Sequence, residues 1–219
     1  MARAFATIAF TPAVRTQQSR MGSAEGYSKF LADDVTHPDE LGPQEVAFIA
    51  ARDGFYQASV SQTGWPYVQY RGGPAGFLRV LSSNAIAYAD FRGNRQYIST
   101  GNFAGNERVS MILMDYPNRR RLKIWGRVRL IEGADNPEIL AQLHDPSYPA
   151  HPERAVLITV EAFDWNCPSH IPRRFTLEEA EEEFAALRRE NEALKAETNA
   201  LRAAIAQATQ NVTLKGKKS

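Results

Sequence analysis

The sequence predicts a mainly β domain of the α+β class, an antiparallel barrel or sandwich with a few flanking helices, followed by one long C-terminal helix. Three observations support this prediction. Short segments rich in β-branched and aromatic residues recur between residues 55 and 165, separated by turn-forming residues. Few stretches between them have helical periodicity. Residues 177–210 contain neither glycine nor proline, so nothing in them interrupts a helix.

The first two strands should form a hairpin, because the segments 55–62 and 65–70 flank the turn pair Thr63-Gly64. The run Gly72-Gly73-Pro74-Ala75-Gly76 then interrupts the ladder before strand character resumes. From the spacing of all such segments we expect five or six strands in one barrel or sandwich. The candidate segments lie at 55–62, 65–70, 77–81, 85–91, 108–116, 121–133 and 155–165.

Helices are predicted at three places within this domain. One follows Gly42-Pro43, since proline suits the first position of a helix. A short helix is expected within the insert 94–106. A further helix is predicted at 136–144, where Asn136 can serve as N-cap and Pro137 occupies the first turn.

The C-terminal helix has a defined start, because Thr176 and Glu179 have the spacing of a capping box. With Phe184 at heptad position a, leucine occupies three successive d positions and Asn191 occupies one a position. This is the pattern of a parallel two-stranded coiled coil. The a positions are Leu177, Phe184, Asn191, Thr198 and Ile205, and the d positions are Ala180, Leu187, Leu194, Leu201 and Ala208.

Charges beside this seam support the same prediction, because every pair between g and the following e position of a parallel partner has opposite sign. These pairs would be Glu183 with Arg188, Glu190 with Lys195, and Glu197 with Arg202. We therefore predict a homodimer through a parallel coiled coil over 173–210, with a disordered tail over 211–219. The alternative is one amphipathic helix packed on its own domain. The narrow apolar stripe argues against this alternative, because a helix that packs on a domain core has a wider apolar face.

Composition and charge limit the function classes. A formal net charge of +1 does not indicate a protein that binds nucleic acid or a membrane surface. The single cysteine, Cys167, cannot form an intramolecular disulfide. No segment approaches the ~20 apolar residues of a membrane helix, and the N-terminus lacks the apolar region of a signal peptide. We expect a soluble, cytoplasmic protein whose residues 1–42 form an arm lying on the domain.

The candidate binding residues are arginines near strand ends, among glycines that let a ligand approach the backbone closely. A guanidinium fork suits phosphate, and aromatic residues such as Tyr70, Phe91 and Trp125 could cover a flat ring. A bound phosphate monoester is one interpretation, and solvated arginines at loop ends are the other. The arginines concerned are Arg71, Arg92, Arg95, Arg119, Arg120 and Arg121.

Residues 65–132 have the sequence WPYVQYRGGPAGFLRVLSSNAIAYADFRGNRQYISTGNFAGNERVSMILMDYPNRRRLKIWGRVRLIE. This stretch resembles the pyridoxamine-phosphate-oxidase-like family of FMN-binding split barrels, and the likeness extends over about 43–170. The resemblance implies a split-barrel domain over 43–172, a homodimer through the barrel, and FMN bound between the subunits. The cofactor-binding residues it implies are Gln69, Tyr70, Arg71 and Gly72 beside the ring, Ala89, Asp90, Arg95 and Gln96 around the phosphate or ribityl chain, and Arg121 near the flavin.

Two departures from the family pattern matter. Gln96 stands where the phosphate-binding turn usually has lysine, so Arg71 or Arg121 would have to supply the missing charge. The vitamin-B6 oxidases end in a strand with a tryptophan and an R-x-H substrate motif, whereas this chain continues with DWNCPSHIPRRF. The resemblance therefore implies another branch of the family.

The resemblance implies an FMN-dependent oxidoreductase that transfers a hydride between flavin and a small-molecule substrate, with Arg71 and Arg121 acting electrostatically at the ring. One alternative is a flavin- or tetrapyrrole-binding module without its own turnover, a carrier or sensor. Another is an assembly protein whose barrel supports the coiled coil. No metal site is predicted, because Cys167 and His170 make only one ligand pair.

Overall fold

Seven antiparallel strands form one sheet in the computed structural model, which describes residues 4–31, 37–165 and 168–216. Every candidate segment of the sequence forms a strand, so the expected count of five or six was too low. The strands are β1 (Gly54–Val60), β2 (Pro66–Gly72), β3 (Arg79–Ser82), β4 (Ala85–Phe91), β5 (Arg108–Asp115), β6 (Arg120–Glu132) and β7 (Pro152–Trp165). Their order in the sheet is β2-β1-β5-β6-β7-β4-β3, and the antiparallel prediction is confirmed.

The two ends of this sheet approach each other, as they do when a sheet curls into a barrel. β1 and β4 are not neighbours in the sheet, yet the buried Tyr88 hydroxyl on β4 donates to Oε1 of buried Gln57 on β1 at 2.8 Å. Arg71 on β2 likewise donates to Asp90 on β4 at 2.6 Å. The core fills the space between them, where the ring of Phe55 lies 5.3 Å from that of Tyr88.

The three helices predicted within the domain are present. Asn136 caps the last of them as expected, because its Oδ1 accepts the N–H of Ile139 at 3.2 Å. The helices of the described chain are α1 (Ala4–Ala9), α2 (Pro12–Arg20), α3 (Ala24–Ser28), α4 (Pro43–Ala50), α5 (Ile98–Gly105), α6 (Pro137–Leu143) and α7 (Leu177–Gly216).

The N-terminal segment contains three short helices that its weak periodicity did not predict. α1 lies on the outer face of the sheet, where the Phe5 ring stacks on Trp125 at 4.8 Å. The N–H of Ala4 also donates to Oδ1 of Asp39 at 3.1 Å. α2 and α3 bury none of their residues.

Gly126 allows β6 to pass close to β7. The pairing of the two strands shifts register between Trp125 and Gly126. A Cβ atom at this position would overlap the backbone oxygen of Thr159. Glycine is therefore needed for the bulge that bends the long strand.

The chain divides into two units, Met1–Pro172 and Arg173–Ser219. The capping box predicted at the start of α7 is present, with the N–H of Thr176 donating to Glu179 at 2.8 Å and the N–H of Glu179 donating to Thr176 at 3.2 Å. α7 continues to Gly216, beyond the end expected at 210. Among the helices that the structure describes, none is both long and apolar enough to span a membrane.

Candidate functional site

Two adjoining clefts lie where β2, β4 and the start of α5 meet. The first cleft, of about 270 Å³, runs from β2 along the turn 93–97 to the first residues of α5. The second cleft, of about 290 Å³, lies between β2, β4 and the loop at 148–150. The two clefts share five lining residues and together have the size of a small-molecule site. The shared residues are Gln69, Arg71, Asp90, Phe91 and Gly93.

The clefts bring together eight of the nine cofactor-binding residues predicted from the sequence. Gln69, Tyr70, Arg71, Gly72, Ala89, Asp90, Arg95 and Gln96 all line one or both of them. The ninth, Arg121, lines neither.

The turn between β4 and α5 places Arg95 at the first cleft. Arg95 and Tyr97 both adopt left-handed backbone conformations, with φ of 63° and 53°, a strain typical of binding turns. The Arg95 side chain is exposed and makes no ion pair with any residue that the structure describes. Gln96 binds back to Asn94, through an N–H donated to Oδ1 at 3.2 Å. Arg95 therefore has its guanidinium available for a ligand, whereas Gln96 stabilises the turn.

The N-terminus of α5 faces the same cleft. Ile98, Ser99 and Thr100, the first three residues of the helix, all line it. The first N–H groups of a helix have no intrahelical acceptor, and the helix dipole favours an anion there. Ser99 is held in place because its hydroxyl donates to Oε1 of Gln69 at 3.0 Å. The cleft is therefore suited to a phosphate group.

Asp90 forms a buried ion-pair cluster behind this cleft. Its Oδ1 accepts from Arg71 Nη1 at 2.6 Å and its Oδ2 accepts from Arg154 Nη1 at 2.9 Å. Burial disfavours the charge on Arg154, but its bonds to Asp90 and Glu132 outweigh that effect and raise the pKa of Arg154. Asp90 lines both clefts itself, and of its two arginines only Arg71 lines them as well.

Glu153 places a second carboxylate at the first cleft. Arg92 donates to it at 2.9 Å and the Tyr97 hydroxyl at 3.2 Å, and Arg154 lies at 3.6 Å. The hydrogen bond from Arg92 holds the pKa of Glu153 below its usual range, so the carboxylate stays ionised near neutral pH. Arginines thus compensate the charge of both carboxylates in the first cleft. Among the described residues that line this cleft, Arg95 is the arginine without an ion pair.

Arg71 offers one further donor. Its Nη1 is engaged by Asp90, whereas its Nε is buried and has no hydrogen-bond partner among the described residues. A buried donor left without an acceptor costs free energy. Because this atom is inaccessible to solvent, a ligand in either cleft would reach it only if the Arg71 side chain moved.

The second cleft is rich in aromatic side chains. Tyr70, Phe77, Phe91 and Tyr148 line it, and the rings of Phe91 and Tyr148 lie 5.3 Å apart. Burial raises the pKa of Tyr88, which stays neutral. The surface is suited to a flat ring.

Other candidates from the sequence lie elsewhere in the structure. Trp125 points to the outer face of the sheet, where Phe5 covers it, so it does not line the clefts of its own chain. Arg120 lies over the ring of Trp165 at 4.6 Å. Arg119 occupies the β5–β6 turn. None of these three residues lines either cleft.

Arg121 also lies on the outer face. It alternates along β6 with Leu122, which is fully buried in the core, and it lies opposite Met114 of β5. Its Nε is buried without a partner among the residues described. Cys167, the possible partner of His170, lies outside the described residues. Within the described ranges no three potential metal ligands cluster.

The comparisons with known proteins fit this arrangement. Residues 41–165 match the family model of pyridoxamine 5'-phosphate oxidase, which is more than half of the chain. The chain belongs to this family. The sequence-based recognition of the pyridoxamine 5'-phosphate oxidase family is therefore confirmed. No curated protein matches the chain.

Several solved structures resemble the chain at low sequence identity. HupZ from Group A Streptococcus is 13% identical, with a TM-score of 0.44 over 61% of this chain and 99% of that one. An FMN-binding protein from Syntrophomonas wolfei is 10% identical, with a TM-score of 0.42 over 68% and 97%. A protein related to general stress protein 26, from Clostridium acetobutylicum, is 11% identical, with a TM-score of 0.42 over 62% and 94%. The family model, rather than these structures, supports the assignment.

Proposed function

We propose that this member of the pyridoxamine 5'-phosphate oxidase family binds FMN and acts as an oxidoreductase on a small-molecule substrate. One observation carries the proposal: an uncommitted arginine, Arg95, faces the same cleft as the N-terminus of α5. Both features favour a phosphate group, and the adjoining aromatic cleft suits a flavin ring.

Bound FMN would supply hydride transfer at its ring. Arg95 and the first N–H groups of α5 bind the phosphate, while Asp90 holds Arg71 at the junction of the two clefts. Arg71, which lines both clefts, would then lie beside the ring. Phe91 and Tyr148 would cover the ring and exclude water from it.

Gln96 leaves the phosphate turn with one charge fewer than the family's usual lysine would give. Arg154 compensates for the missing positive charge, because it neutralises Asp90 together with Arg71. The site then presents a net positive charge to the phosphate although two carboxylates lie beside it.

The visible absorption spectrum of the purified protein tests the proposal. We expect flavin bands, with FMN released on denaturation, and bleaching of the bands by a nicotinamide donor. Flavin that no donor reduces would favour a carrier or sensor, and a released tetrapyrrole would replace FMN as the ligand. A colourless protein that stays colourless after FMN is added would contradict the site itself and favour an assembly role.

We further propose that two barrels share each site, because Arg121 lies on an outer face that also exposes apolar side chains. Val68 and Tyr70 of β2 are 61% and 56% exposed, and Tyr56 of β1 is 40% exposed. A second copy that covers this face would bury these residues and bring Arg121 towards the cleft of its partner.

Mixed dimers test the shared site. One chain carries Arg95→Ala and the other Arg121→Ala, and the two chains bear different affinity tags so that only mixed dimers are recovered. If each site uses Arg95 of one chain and Arg121 of the other, one site is intact and the other lacks both arginines. We expect about one FMN per two chains in an equilibrium titration. Two weakened sites would mean that both arginines serve from one chain, and an Arg121→Ala homodimer that binds FMN as tightly as the wild type would mean that Arg121 serves neither site.

A further inference from the structure

α7 exposes the apolar stripe that the heptad pattern places on one side. Phe184 is 57% exposed, and Leu187, Leu194 and Leu201 are each more than half exposed. Helices in water gain most of their stability from packing such a face against another element. The stripe is therefore an interaction surface, and its charges indicate its occupant.

The flanking charges fit a second copy of the same helix in parallel orientation. In a parallel pair, Glu190 meets Lys195 and Glu197 meets Arg202 of the partner helix. In an antiparallel pair, g positions meet g positions, so the same glutamates would face one another and the basic residues would do likewise. The charge pattern favours the parallel arrangement.

The two polar a positions of the seam differ in their hydrogen bonding. The Thr198 hydroxyl donates to the backbone oxygen of Leu194 within its own helix at 2.7 Å, so it can enter a dry seam with its donor satisfied. The side-chain amide of Asn191 makes no such bond to the described part of the chain. In a seam, the Asn191 amide is satisfied only when it meets its equivalent in a partner at the same height.

We propose that α7 forms a parallel, in-register coiled coil with α7 of a second copy, and that Asn191 rather than Thr198 fixes the number of helices in it. This proposal does not depend on flavin binding, because it rests on α7 alone.

Single cysteines in the full-length chain test the orientation, in a Cys167→Ser background. Leu187→Cys and Leu201→Cys occupy d positions, which face their equivalents in a parallel dimer, so each variant alone should form a disulfide-linked dimer on mild oxidation. Ala196→Cys, at the outward f position, is the matched control and should remain uncrosslinked. Crosslinking of Leu187→Cys only when it is mixed with a variant that carries cysteine at an a position, such as Thr198→Cys, would show an antiparallel pair, because a and d positions face each other in that arrangement. No crosslinking, or equal crosslinking of the control, would overturn the proposal.

Light scattering on full-length variants tests the role of Asn191. Asn191→Leu removes the restriction on the number of helices in the coiled coil, so we expect species heavier than the wild-type dimer. Thr198→Val removes a hydroxyl that is already satisfied, so the mass should stay that of the wild type. Identical masses for wild type and Asn191→Leu, or a changed mass for Thr198→Val, would overturn the assignment of Asn191.

Discussion

Arg95→Ala is expected to weaken FMN binding by about 10- to 100-fold without destabilising the fold. Hydrogen bonds to a charged group contribute roughly 1.5–3 kcal/mol each, which corresponds to one to two orders of magnitude in the dissociation constant. The folded chain loses little, because the Arg95 side chain is exposed and makes no ion pair with its described neighbours. Flavin fluorescence titration gives the affinity, and thermal unfolding without FMN gives the stability.

Arg129→Ala is the matched control for this experiment. Arg129 is an exposed arginine on β6 that lines neither cleft, so its loss should change neither affinity nor Tm. Arg95→Lys keeps the charge but loses the planar fork, so its affinity should lie between wild type and Arg95→Ala. An Arg95→Ala protein that retains stoichiometric flavin through gel filtration would show that the turn does not bind the phosphate.

The sequence predicted the sheet because its strands alternate strongly. Along β6, Leu122, Ile124 and Val128 enter the core, and the charged residues between them point outwards. The same alternation along β6 predicts that Arg121 and Trp125 lie on the outer face. The family resemblance did not indicate which face these two residues occupy. α2 and α3 were missed because they bury no residue and therefore leave no apolar periodicity to detect.

The part of the site that was predicted, on β2, on β4 and in the turn that follows β4, is the part that the family resemblance identifies. Arg95 and Gln96 belong to one turn that the family resemblance identifies. Arg154 and Glu153 escaped prediction because their partners are distant: Arg154 reaches Asp90 across 64 residues, and Glu153 reaches Arg92 across 61. An ion pair made by neighbouring strands has no local sequence signature. Only the pairing of β4 with β7 brings these charges together.

Asp90→Ala is expected to cause the largest loss of stability of any single change at the site. Asp90 is 5% exposed, and its carboxylate lies between the guanidinium groups of Arg71 and Arg154. Removing it leaves two partly buried cations next to each other without their shared counter-charge. Breaking such a buried pair costs about 3–5 kcal/mol, or roughly 6–20 °C in Tm for a domain of this size. Flavin affinity should fall as well, because Arg71 loses the bond that holds it at the clefts.

A comparison with an exposed ion pair separates the cost of breaking a buried ion pair from the cost of removing a carboxylate in general. Glu161→Ala removes a partner of Arg127, but the two side chains are 31% and 42% exposed, so solvent screens the pair and the loss of stability should be small. Adding Arg154→Met to Asp90→Ala removes one of the two uncompensated cations and should restore part of the lost stability. Chemical denaturation of the four proteins measures these differences. If Asp90→Ala costs no more than Glu161→Ala, the two arginines do not depend on Asp90 for their charge balance, and Asp90 does not hold Arg71 in the site.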